Sequence, residues 1–241
     1  HTADGRVGTV MDEFAKRRNS ITLDDIRKLI IKGRTGVHCL EIGGPIPGKG
    51  CAGRAVSFVL QFIREDKAFF KNFDVVIFDV LGDIVCGGFA APIQDPERTD
   101  VYIVASGELM SLYAANNIAK GIKNLSARSG ARLAGLIGNL KNAYAGRKVI
   151  DEFARRIKTV TIGVLPNESQ VVLAEMNGVP VVEMSPQCGA AIACRSVFER
   201  MNKLTEKGRI IPAPLGDDEL RALYRDYLRS AVGGLSAQPK T

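Results

Sequence analysis

Long hydrophobic runs are missing from this sequence. No stretch approaches the roughly 18 consecutive apolar residues that would span a bilayer. The first residues also lack the charged-then-apolar pattern of a secretory signal. The expectation is therefore a soluble, cytoplasmic protein with no membrane partner. Aromatic residues are few, 6% of 241, and although the net charge is +7, the basic residues are scattered among acidic ones. That is the pattern of a solvated basic surface, and a nucleic-acid partner is not expected. Cysteine is scarce and odd in number: Cys39, Cys51, Cys86, Cys188 and Cys194. In a chain that reads as intracellular this argues against a disulfide framework and for metal or redox duty. A phosphate-cradling loop G-x-x-x-x-G-K-[ST] is also lacking. GGPIPGKG at 43–50 comes near it, but Gly50 stands where the hydroxyl belongs, and Pro45 and Pro47 remove two of the backbone N–H groups such a loop uses. With no internal repeat and no linker long enough to separate domains, residues 1–241 read as a single domain.

What is present is an alternation of strand-like and helix-like segments. Helices are expected at 10–18, from about 20–24 onward with Ser20 or Thr22 as cap, and at 51–64, where Val56, Val59, Leu60 and Ile63 recur at helical spacing. Further helices are expected at 108–125, 144–157, 167–176, 190–205 and 217–230. Strands are expected at 37–42, 73–78, 101–106, 133–138 and 160–165. The fold class that follows is α/β, a doubly wound parallel sheet with helices on both faces.

The stretch FDVVIFDVLGDIVCGGFAAP, residues 73–92, carries most of the candidate chemistry. Its apolar run suits a strand buried on both faces, which would put Asp79 at the strand's carboxyl end, where α/β proteins bind ligands and where a carboxylate can hold Mg²⁺ through water. Asp83 follows four residues on, within reach of a water molecule. Cys86 comes next, followed by Gly87 and Gly88, which allow close approach to the backbone. Cys51, in GKGCAGR, is the second cysteine set among glycines. Cys39, inside an apolar run, reads as a small buried hydrophobe, and Cys188 and Cys194 do not have a recognisable ligand spacing.

EIGGPIPGKGCAGR, DVVIFDVLGDIVCGGFAAPI and VYIVASGELMSLYAANNIAKGI resemble the nitrogenase iron protein family, and GRIIPAPLGDDEL resembles that family's tail. The resemblance covers essentially the whole chain. It implies a P-loop NTPase-like fold of which the first strand and phosphate loop, about the first 45 residues, precede the given start; the 241 residues are accordingly expected to be a partial chain that does not bind MgATP tightly by itself. It also implies a homodimer with one [4Fe-4S] cluster held by Cys51 and Cys86 of each subunit. Two thiolates per chain doubled by a two-fold axis give the four that such a cluster needs.

The same resemblance assigns MgATP to Asp79 as the metal-linked carboxylate, to Asp83 as the catalytic residue that positions or deprotonates the attacking water, and to Asn139, Pro166 and Glu168 around the base. Glu168 stands where the family more often has Asp, and residues 169–173 depart from its pattern. Arg54, three residues after Cys51, matches a site of ADP-ribosylation. The implied activity is ATP-dependent electron transfer to a catalytic nitrogenase-type component, with a low-potential donor such as ferredoxin or flavodoxin. Two alternatives compete: the related reductases for protochlorophyllide and nickel-tetrapyrrole, and a non-redox P-loop ATPase, which would lack the two cysteine loops. The tail at 209–228 favours the nitrogenase type, whereas Gln94, Asp95, Pro96 and Glu97 stand where that type usually carries basic residues.

Overall fold

The computed structural model describes residues 7–17, 20–44, 53–80, 82, 92–93, 99–141 and 146–235, with the backbone alone at 53–55, 206 and 231–235. The chain divides into two compact units, 1–92 and 93–241.

The first unit is built on short capped helices. Helix α1 (Val10–Lys16) begins at Thr9, whose hydroxyl accepts the Asp12 N–H. Helix α2 (Leu23–Leu29) opens on a capping box in which Thr22 and Asp25 satisfy each other's backbone N–H groups. Strands β1 (Ile31–Lys32) and β2 (His38–Cys39) form an antiparallel ribbon, its turn passing through Gly36 at φ +89°, a left-handed conformation open to glycine. Helix α3 (Gly53–Glu65) and helix α4 (Lys67–Phe70) complete the unit. Val10, Ile26, Val59 and Phe62 form its core. Phe62 stacks edge-on against Phe70, and Phe69 against Phe70, a geometry favoured by the ring quadrupoles.

The second unit is a parallel three-stranded sheet with helices on both faces. Strand β3 (Asp100–Ala105), helix α5 (Leu109–Leu125), β4 (Arg132–Asn139), α6 (Arg147–Arg156) and β5 (Thr161–Leu165) follow in order, and the sheet order is β3-β4-β5. Helices α7 (Ser169–Met176), α8 (Val181–Met184), α9 (Gly189–Asn202) and α10 (Asp217–Leu235) come after. One face of the sheet packs Ile103, Leu133 and Leu136 against Leu112, Ala119 and Ile122 of α5, Ile150 and Phe153 of α6, and Leu220 and Leu223 of α10. Each such fully buried side chain contributes about 1.5–3 kcal/mol. On the other face Ile137 and Ile162 meet Val197 of α9. That helix lies so close that a Cβ at Gly163 would overlap the Val197 side chain.

The segment after α9 returns to the sheet. Leu133 and Ile210 exchange backbone hydrogen bonds of 2.9 and 3.0 Å, filling the place beside β4 that β5 vacates, since β5 pairs only from Leu136 onward. Arg209 meets both carboxylate oxygens of Asp100 at 2.7 and 2.8 Å. No helix among the described residues is long and apolar enough to cross a membrane.

The expected strands at 101–106, 133–138 and 160–165 are present with their parallel pairing. Two other expectations are corrected. Residues 37–42 contribute only the two-residue β2, and Cys39 is exposed rather than buried; Leu40 and Ile42, beyond the strand, are the residues of this run that pack against the core. Residues 73–78 form no strand. Val75, Val76 and Ile77 are 57%, 44% and 75% exposed. A strand apolar on both faces needs ladder partners on its edges and cover over its faces, and no described strand pairs with this segment.

Candidate functional site

The carboxyl ends of β3, β4 and β5 lie side by side, because Ala105 is paired with Gly138 and Asn139 with Leu165. Three of the predicted nucleotide residues sit there. Asn139 ends β4 and is exposed, and its side-chain amide makes no hydrogen bond to another described residue. Pro166 and Glu168, both partly buried, follow β5. The loop holding them is fixed at several points. Leu140 N–H donates to Leu165 O at 3.0 Å, the Asn167 amide donates to Lys141 O at 2.7 Å, and Glu168 Oε2 accepts the Ala190 N–H at 2.9 Å.

Opposite Asn139 the chain leaves β3 through a turn that sequence reasoning did not single out. Ser106 is buried; its N–H donates to Ser111 Oγ at 2.9 Å and its hydroxyl to Glu108 Oε2 at 3.0 Å. The serines and the glutamate in SGELMS are the signal for this turn, since short hydroxyl side chains satisfy backbone groups where a helix begins.

Such a mouth suits a purine. A primary amide offers one acceptor and two donors, and adenine presents the matching N6 amine and N7 acceptor on one edge. Asn139 is uncommitted and open to solvent, and Pro166 provides an apolar flank, so these residues fit the base of a nucleotide.

Asp79 ends the irregular segment 73–79 of the first unit and is exposed. Arg54 lies in the first turn of α3. Cys51, Asp83 and Cys86 lie outside the described residues, as does the side chain of Arg54. Among the described residues no group of three His, Cys, Asp or Glu side chains is placed to hold a metal. Cys188 and Cys194 both belong to the α9 region. Cys188 caps α9, its Sγ accepting the Ala191 N–H at 3.4 Å. Burial pushes the Cys194 thiol up, with Cys188 adding to the effect, so Cys194 resists becoming a thiolate.

The family described as "4Fe-4S iron sulfur cluster binding proteins, NifH/frxC family" matches residues 3–230. "Nitrogenase iron protein 1" of Methanothermobacter thermautotrophicus is 42% identical over 200 residues, covering 83% of this chain and 72% of that protein. "Nitrogenase iron protein 2" of Rhodobacter capsulatus is 41% identical over 223 residues, covering 91% and 78%. Among solved structures, the MinD cell division protein of Aquifex aeolicus superposes with a TM-score of 0.59 at 16% identity, covering 84% of this chain and 78% of that one. The cell division ATPase MinD of Pyrococcus furiosus does so with 0.59 at 18%, covering 82% and 76%. At these identities the structures speak for the fold, a P-loop NTPase-like parallel sheet with helices, while the sequence matches speak for descent: the chain belongs to the nitrogenase iron protein family.

Proposed function

We propose that this protein is an ATP-dependent electron-transfer protein, the reductase component that serves a catalytic nitrogenase-type partner. The observation that supports the reading is the family match, which spans residues 3–230 and so includes both glycine-flanked cysteines. The cofactors of the family are a [4Fe-4S] cluster and MgATP. Cys51 and Cys86 from each of two subunits would hold the cluster, which supplies a one-electron store of low potential when bound. The glycines beside both cysteines leave room for backbone N–H groups to face sulfur.

In this reading Asp79 provides negative charge for Mg²⁺, and Asp83 holds the attacking water and takes its proton. Asn139 reads the adenine edge while Pro166 and Glu168 shape the base pocket. Asp79, Asp83 and Cys86 fall within eight consecutive residues of the sequence, so a change of nucleotide state would reach Cys86 through few residues. Arg54, three residues after Cys51 in the sequence, is the residue proposed to meet the partner and the candidate for ADP-ribosylation. Ferredoxin or flavodoxin is the donor class, and residues 1–241 act as one nucleotide- and cluster-binding domain.

Iron and sulfide analysis of anaerobically purified variants tests this. Cys51→Ser and Cys86→Ser should lose the cluster and the broad absorption at about 400 nm, whereas Cys39→Ala, Cys188→Ala and Cys194→Ala should keep both. Retention in Cys51→Ser together with loss in one of the other three would refute the ligand assignment.

A further inference from the structure

We infer that Glu168 is a positioning residue whose carboxylate is committed to helix α9, and that it works with Asn167 to hold the base platform preformed, leaving recognition of the base to Asn139. This rests on the nucleotide reading above and deepens it.

Glu168 occupies the N-cap position of α7 yet makes no side-chain bond to that helix. It turns instead to the next long helix. Its Oε2 accepts the N–H of Ala190, in the first turn of α9, at 2.9 Å. The first turn of a helix has backbone N–H groups without intrahelical partners and carries the positive end of the dipole, so a carboxylate is well placed there. Cys188 fills the neighbouring N–H of Ala191. The fit is close: a Cβ at residue 189 would overlap Glu168 Oε1, so a side chain there would push the carboxylate from its place.

The other side of the loop is tied as well. Asn167 donates to Lys141 O at 2.7 Å, two residues beyond Asn139, and Leu140 is bonded to Leu165. Residues 166–168 are thus strapped to the strand end that carries Asn139 on one side and to α9 on the other. An aspartate at 168 would draw the carboxylate back by about one C–C bond, roughly 1.5 Å, and the latch to Ala190 would open. With Glu168 engaged and the Asn139 amide free, base selection falls to Asn139.

The test uses the full-length, cluster-loaded protein and two readouts. The first is hydrogen exchange at the Ala190 amide without nucleotide. The second is the ratio of affinities for ATP and inosine triphosphate, which differ at the six-position amine that an amide side chain reads. Glu168→Ala and Gly189→Ala should speed Ala190 exchange and lower the ATP preference about tenfold, the scale of one bidentate base contact. Glu168→Gln, which retains an acceptor at the same reach, should keep both. General loss of stability would weaken both triphosphates alike and leave the ratio in place. Unchanged Ala190 exchange in Glu168→Ala, or faster exchange with an unchanged ratio, would overturn the inference. Wild-type protein that binds both triphosphates equally would also overturn the inference, since Asn139 would then not read the base; wild-type protein that binds neither would instead remove the nucleotide reading itself, with the exchange result for the latch still in hand.

Discussion

At the scale of single residues, Thr22 and Asp25 show how a short helix is held. Asp25 Oδ2 accepts the Thr22 N–H at 3.0 Å and its hydroxyl at 2.7 Å, and Oδ1 lies 3.0 Å from Arg17. The Thr22 hydroxyl and N–H, more than the arginine, hold the Asp25 carboxyl below its ordinary range. A carboxyl depressed by folding stabilises the folded state at pH values above its unfolded pKa of about 3.9, and that contribution is lost as pH falls through the lower folded value. Asp25→Asn should therefore melt below wild type at pH 6, with the gap closing below about pH 4; a gap independent of pH would contradict this. Thr22→Ala should cost about 1 kcal/mol through loss of the cap. Thr22 and its acidic first turn were legible in the sequence, as was the end of β4 at Asn139. The Glu168 latch was not, because its partner lies 22 residues on and only the packing of α9 brings the two together.

At the scale of elements, glycine sets how near a helix comes to the sheet. Gly163 lies under Val197 of α9 with no space for a methyl group. Gly163→Ala should push α9 from β5 and destabilise by about 1–3 kcal/mol, measured by denaturant titration. Pairing it with Val197→Ala should recover part of the loss, and additive losses would refute a direct clash. The elements read correctly from sequence are those whose partners are local. Strands β3, β4 and β5 alternate with α5 and α6, and every crossover joins neighbours, so periodicity defines them. Residues 73–78 show the opposite case. Their apolar run states what environment they require, not whether neighbours supply it, and β structure is realised only through cross-strand partners. Helix α8, one turn long within 181–184, carries too little periodicity to be read at all.

At the scale of the whole molecule, the partner role proposed for Arg54 is separable from the stability of the fold. A glutamate in the first turn of α3 suits the helix dipole, so Arg54→Glu should leave the melting temperature unchanged or slightly higher. On the reading that this turn faces the catalytic component, electron delivery should still fall by more than about tenfold, since a like charge in a docking surface costs several kcal/mol. Undiminished partner-dependent turnover would remove that role. The return of the chain after α9 has a further consequence, for the order of events in folding. Sheet neighbours in the second unit are also neighbours in sequence, so most of it assembles by closing short loops. The exceptions are long-range: the buried Asn116 side chain bonds both backbone groups of Leu215 at 2.9 Å across 99 residues, and Arg209 reaches Asp100 across 109. Such contacts pay their loop-closure entropy late, and late contacts act on the rate of escape from the native state rather than on the rate of reaching it. Asn116→Ala, which strips two hydrogen bonds at about 2–4 kcal/mol in all, should speed unfolding and barely slow refolding in stopped-flow circular dichroism. The C-terminal segment would then be the clasp that fastens a sheet already formed, and the lifetime of the native protein would be set by how rarely that clasp opens.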